Sequence, residues 1–204
     1  GGTPTISGNL TVSVSSTAYP ITVPHLGNTG GTSGNLDALD DRLFAAHLRN
    51  GRLWTAHNIQ VNSSGVASST GARNGSRWYE LQNLTTTPTL RQSGTVFDSA
   101  ASNPKSYWIP SILASGQGHV AMGFSTAGAA NRINAGTVGR LSGDSLSTMQ
   151  SPVDYTASST AYNPAGDTGV DNGFRRWGDY SYTCLDPNDD MTMWTIQQFC
   201  DAAN

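Results

Sequence analysis

From Leu43 onward, apolar and small residues come in short runs separated by turn chemistry, with no stretch that keeps a helical period. LFAAHLRNGRLWTAHNIQV (43–61) is two β-prone runs around Asn50-Gly51. Asn-Gly supplies the two positive-φ residues of a type I′ turn, whose twist matches paired strands. A two-residue loop pairs Arg49 with Arg52, Leu48 with Leu53, His47 with Trp54 and Phe44 with His57. Period-two alternation then puts Phe44, Ala46, Leu48, Leu53, Thr55 and His57 on one face, and Leu43, Ala45, His47, Trp54 and Ala56 on the other. Both faces are largely apolar, so this sheet is expected to be covered on both sides. A second unit of the same design is YWIPSILASGQGHVAMGFSTAG (107–128), with its turn at Ser115–Gly118; a third is WGDYSYTC, LDPNDD and MTMWTIQQF (177–199). Ser76 to Leu81, Thr89 to Phe97 and Thr137 to Leu141 are further strand candidates. Residues 1–35 alternate β-prone runs (Leu10 to Val14, Ile21 to Val23) with Gly, Pro and Asn, and read as a strand or two plus a glycine-rich loop. Nothing in that lead-in predicts a helix. Its GNTGGTSGN lacks the spacing of a phosphate-binding loop.

The three hairpins start near Leu43, Trp108 and Trp177, a spacing of roughly 65 to 70 residues. Repetition of four-stranded antiparallel units covered on both faces predicts an all-β chain of β-propeller blades. The expected organisation is one unit over 1–204, with residues 1–35 as lead-in and 36–204 as about three blades. Propellers carry about four blades or more, so the remainder of a larger propeller or self-association is expected to cover the open sheets.

Composition narrows the partners. Only 12% of residues are charged, about half the usual share. Lys105 is the single lysine and Glu80 the single glutamate, which argues against surface helices. A net charge of −3 and scattered arginines give no footprint for nucleic acid. No apolar run approaches the ~18 residues of a membrane span, and no signal pattern opens the chain. The chain is therefore read as soluble, with any export signal removed or outside it.

The stretches LDALDDRLFAAHLRNGRLWTAH, RWYELQN, WIPSILASGQGHVAMGFS and RWGDYSYTCLDPNDDMTMWTIQQF resemble large secreted bacterial β-propeller proteins of the sialidase-like kind, with BNR repeats or Asp-boxes. The resemblance runs from about Pro24 onward. It implies a C-terminally shortened propeller portion, secreted or held at the cell surface, with carbohydrate or an extracellular protein as partner. Asp189-Asp190-Met191-Thr192-Met193-Trp194 resembles a degenerate Asp-box, without its glycine and with Thr-x-Trp in place of Thr-Trp. In the family such turns are structural.

Two functional readings follow. The leading one is a binding or scaffold module, with Trp78, Tyr107, Trp108, Trp177 and Tyr180 as ligand platforms, since aromatic faces pack on sugar C–H groups. The alternative is a sialidase-like glycoside hydrolase completed by absent blades, with Arg176, Asp179, Glu80 and Tyr79 as catalytic candidates and Arg42 and Arg77 as further arginines. Against it, adjacent strand residues such as Tyr79 and Glu80 point to opposite faces. Asp186, Asn188, Asp189 and Asp190 gather oxygen ligands of the kind calcium prefers, yet DPNDD is also ideal turn chemistry. No other cofactor is implied. His25, His47, His57 and His119 show no metal-ligand spacing, and no GxSxG marks a serine hydrolase. Cys184 and Cys200 fall at opposite ends of the third hairpin, about 25 Å apart by strand rise, too far to bridge. The sequons at Asn9, Asn62, Asn74 and Asn83 are incidental in a bacterial source.

Overall fold

The computed structural model describes residues 2–6, 8–167 and 173–201. Its strands form three antiparallel sheets, none closed on itself. The first contains, in order, β1 (Ala45–Arg49), β2 (Arg52–Val61), β3 (Arg73–Gln82) and β4 (Thr89–Val96); the second β5 (Ser106–Ala114), β6 (Val120–Gly128), β7 (Asn131–Arg140) and β8 (Val153–Asp154). The third is a two-stranded pair, β9 (Tyr182–Leu185) with β10 (Met193–Ile196).

The first hairpin has the register its turn dictates: Arg49 faces Arg52, Leu48 faces Leu53 and His47 faces Trp54. Asn50 and Gly51 carry φ of 49° and 69°, the positive values a type I′ turn requires. β2 and β3 are buried along most of their length, while β1 is largely open. One side of β2 and β3 carries Trp54, Ala56 and Trp78, which meet Tyr107, Ile112, Met122 and Phe124 of the second sheet in one core. The Trp54 and Trp78 rings stack at 5.9 Å. Gly94 lies across from Trp78, where an added Cβ would come within 2.8 Å of the indole. Fully buried side chains such as Met122 and Phe124 each contribute about 1.5–3 kcal/mol to this sheet-on-sheet contact.

A second core joins the lead-in to the end of the chain: Val23, Leu36 and Ala38 pack with Trp108, Ile133, Trp177 and Cys200. Leu36 bridges antiparallel to Val23 and parallel to Arg175. β5 enters this core through a kink. Ile109, buried and followed by Pro110, sits at φ 53° where the β5–β6 register shifts. A β-branched residue in that region is strained by about 1–3 kcal/mol and persists only when its surroundings hold it there.

The third pair lies on the second sheet. The Thr183 amide donates to Ser111 Oγ (2.8 Å) and its hydroxyl to the Ser111 carbonyl (3.0 Å). The β1–β2, β5–β6 and β9–β10 turns meet at one end. Arg49 pairs with Asp190, Asn50 Nδ2 donates to the Gly116 carbonyl (2.9 Å), and the Gly116 amide donates to the Asp190 carbonyl (3.1 Å).

The structure departs from the sequence reading in four places. The third unit has two strands among the described residues instead of four, and its first strand starts at Tyr182 instead of near Trp177. Trp177 leaves the sheet because its indole is buried against Trp108 and Tyr162. Leu10 to Val14 forms no strand and both end residues are exposed; β-propensity marks fit to a half-buried sheet, and this run has no partner. Ile21 to Val23 reduces to the single Val23 bridge, and Gly31–Gly34 forms a short 3-10 turn.

Candidate functional site

The residues immediately before β1 and before β9 converge on one rim. Asp37 Oδ1 accepts the Leu39 amide (2.7 Å) and holds Leu39 at φ 56°. Asp40 repeats the motif one step on, with Oδ1 on the Arg42 amide (2.9 Å) and Oδ2 on Arg42 Nε (2.7 Å). Such Asx turns let aspartate replace a regular ladder. From below, the wholly buried Asn58 of β2 donates to the carbonyls of Ala38 (2.9 Å) and Asp40 (3.3 Å). His57 Nδ1 meets the Asp41 carbonyl. A carbonyl only accepts, so Nδ1 carries the proton and Nε2 accepts from the Tyr79 hydroxyl at 3.0 Å. Burial lowers the His57 pKa, which keeps this ring neutral.

Three adjoining depressions result. One of about 250 Å³ lies between Tyr19–Thr22 and Asp37–Asp40. A second, about 140 Å³, is formed by Asp40, Arg42, Phe44 and Tyr180. The third is open, about 440 Å³, along Arg176–Tyr180. Leu39 and Asp40 line the first two, and Tyr180 the last two. Tyr180 is 76% exposed and Tyr19 65%. Burial pushes the Asp37 carboxyl up, the nearby Asp179 charge adds to this, and Arg176 opposes it. Asp40 is held low by its bond to Arg42. The rim therefore offers exposed aromatic faces, carboxylates of differing acidity and two arginines.

The sequence-selected residues divide sharply. Arg176, Asp179 and Tyr180 share the open depression. Trp177 also borders it but is 3% exposed, and its Nε1 donates to Ser125 Oγ at 3.1 Å. Trp78, Tyr107 and Trp108 are core residues, not open platforms; burial pushes the Tyr107 phenol up to about 12. Tyr79 and Glu80 point to opposite faces of β3: Tyr79 stands across from Thr55 and Glu80 across from Trp54. Glu80 lines a separate cleft with Arg52 and Arg91, so it does not join Arg176 and Asp179. The carboxylates of the Asp186–Asp190 turn are engaged within the turn and with Arg49. Asp186 Oδ1 accepts the Asn188 amide, Asp189 Oδ1 accepts the amides of Met191 and Thr192, and Asp190 holds Arg49. Among the described residues, no group of three or more His, Cys, Asp or Glu is gathered as for a metal ion.

Sequence reasoning passed over Asp37, Asp40 and Tyr19. The signal was LDALDDR, three aspartates in a stretch with no helical period, just ahead of a strong hairpin.

No protein-family model, curated protein or solved structure matches the chain.

Proposed function

We propose that this chain is a carbohydrate-binding portion of a secreted or cell-surface bacterial propeller of the sialidase-like kind. In this reading its three sheets are successive blades, and saccharide binds at the rim ahead of β1 and β9. The observation that carries the reading is the joined set of depressions in which exposed Tyr180 and Tyr19 stand beside Asp37, Asp40, Asp179, Arg42 and Arg176. Tyrosine faces pack on sugar C–H groups, while carboxylates and guanidiniums orient hydroxyls. A glycan array followed by calorimetry on its hits tests this. Tyr180→Ala, at an exposed position, is expected to keep wild-type stability and weaken binding about tenfold or more, a loss of ~1.4 kcal/mol. Wild-type affinity in that variant refutes the assignment.

One observation favours a second reading, a glycoside hydrolase. Burial raises the Asp37 carboxyl and the charge of Asp179 adds to this, the direction that suits a general acid. Asp37 would serve as the acid and Asp179 as the second carboxyl group, with Glu80 outside the site. Turnover of a fluorogenic glycoside panel, abolished in Asp37→Asn and Asp179→Asn, would establish this reading; binding without turnover rejects it.

A further inference from the structure

A second concavity, unrelated to the rim, opens between the first two sheets beside the clustered hairpin turns. It measures about 170 Å³, room for about five or six waters at ~30 Å³ each. Arg49, Arg52, Arg91 and Arg140 line it, with Glu80 as the single lining carboxylate. In a chain of net charge −3, this is a local excess of positive charge.

The geometry points to an anion site that takes one sulfate, phosphate or carboxylate group on Arg52 and Arg91. Glu80, 5% exposed, sets the two guanidiniums side by side. Its Oε1 lies 3.5 Å from Arg52 Nε and its Oε2 lies 3.3 Å from Arg91 Nε. Gln92 completes the arrangement. Its Oε1 accepts the Ser147 amide (2.8 Å), which fixes the amide orientation, and its Nε2 donates to Glu80 Oε2 (2.5 Å). Glu80 is thus engaged through the Nε positions, and Arg52 Nη1 is engaged by Gln82 (2.7 Å). Arg52 Nη2 and both Nη atoms of Arg91 have no acceptor among the described residues.

The surroundings leave the excess charge in place. Arg140 is buried and spends its donors on the main-chain carbonyls of Thr148, Asp144 and Ser145, which satisfy hydrogen bonds without cancelling charge. Arg49 pairs with Asp190, but its buried Nε has no partner among the described residues. One carboxylate shared by two arginines leaves a net cation whose planar donors match the oxygens of a second anion. The single glutamate of the chain therefore orients cations in this cleft.

The test is calorimetric titration of the full chain with inorganic sulfate and with inorganic phosphate, at ionic strength held constant with sodium chloride. Saturable one-to-one binding is expected. Arg52→Gln and Arg91→Gln should each weaken it about tenfold or more, and Arg91→Lys by less, because lysine keeps the charge and loses the planar fork. Arg42→Gln and Tyr180→Ala, both on the rim, should bind sulfate as wild type does, which keeps failure here distinct from failure of the saccharide reading. A glucose 6-sulfate or glucuronate arm identifies the source: tighter binding than the inorganic ion assigns the group to an acidic saccharide, and weaker binding assigns it to the free ion. Absence of saturation at constant ionic strength, or undiminished affinity in a folded Arg91→Lys and Arg91→Gln pair, overturns the site.

Discussion

Replacing Asn58 by alanine removes a side chain that ties both sheets to the rim. Asn58 is 0% exposed and makes three hydrogen bonds: its Nδ2 donates to the Ala38 and Asp40 carbonyls, and its Oδ1 accepts the amide of the strained Ile109 at 2.9 Å. In the alanine variant the Ile109 amide and the Ala38 carbonyl, both belonging to buried residues, lose their partners. Each buried group left unpaired costs about 1–3 kcal/mol. Some relaxation is available at the partly exposed Asp40, so the expected total is about 3–4 kcal/mol. For a chain of this size that corresponds to a fall in Tm of roughly 6–15 °C. Urea denaturation followed by tryptophan fluorescence measures it, with an unchanged m-value showing that the unfolded state is the same. Asn58→Asp should be no milder, since it would place a carboxylate oxygen against two carbonyl oxygens. The variant should also bind saccharide less tightly although residue 58 does not line the rim, because Ala38 to Asp40 lose their anchor. A loss of stability below ~1 kcal/mol refutes the reasoning, since it would mean that neither group depends on Asn58.

Three shorter predictions follow from the same geometry. His25 is buried, and burial lowers its pKa more than the neighbouring Leu26 and Gly34 backbone groups raise it; a lowered folded-state value means that its contribution to stability is complete above about pH 6.5 and is lost as pH falls through the lowered value. His25→Leu should therefore flatten the acid limb of a pH series of denaturation midpoints while changing stability at pH 7.5 by less than about 1 kcal/mol. The Arg49–Asp190 pair that links the hairpin turns has side chains 31% and 47% exposed, so a double-mutant cycle should give a coupling of only ~0.5 kcal/mol that disappears near 1 M salt. Cys184 and Cys200 are both free, and burial raises the Cys200 thiol: two thiols should titrate in the unfolded, unreduced protein, with Cys184 reacting first in the native one. Peptide mapping that finds a 184–200 disulfide contradicts the third-sheet register.

What could be read from the sequence depended on how local its cause was. The first hairpin follows from Asn50-Gly51 and the alternation around it, all within one turn of chain, and its register needed no other information. The third unit carried the same local pattern, but whether a pair of strands gains neighbours depends on distant edges, and among the described residues only β9 and β10 form there. Trp78 and Trp108 looked like platforms because a strand apolar on both faces does not show which face another sheet covers; both faces of β3 are buried. Arg176 to Tyr180 reads as the start of a strand, whereas that strand begins at Tyr182. Asp37 and Asp40 were not recognised, because their position is set by Asn58, which is distant in sequence and reads there as an ordinary strand residue. Glu80 was noticed for its neighbour Tyr79, yet its role depends on Arg52 and Arg91 across two strand pairings.

Chain direction separates the two binding assignments. Arg42 and Phe44 precede β1, and Tyr180 precedes β9; Arg49 ends β1, and Asp190 belongs to the turn that follows β9. The rim and the arginine cleft therefore lie toward opposite ends of the same first strands. The five residues of β1 span about 17 Å at ~3.4 Å per residue, roughly twice the ~8 Å Debye length at physiological salt. Charges at one end are thus largely screened from the other, and no residue lines both concavities. Sites this far apart without shared partners add within ~0.5 kcal/mol. In the Tyr180→Ala, Arg91→Gln double variant, saccharide affinity should equal that of Tyr180→Ala and sulfate affinity that of Arg91→Gln, each within about twofold. Saturating sulfate should likewise leave the affinity for a neutral saccharide unchanged. If sulfate instead shifts that affinity tenfold, the two concavities belong to one extended acidic-glycan site, and the strand-length argument for their independence fails.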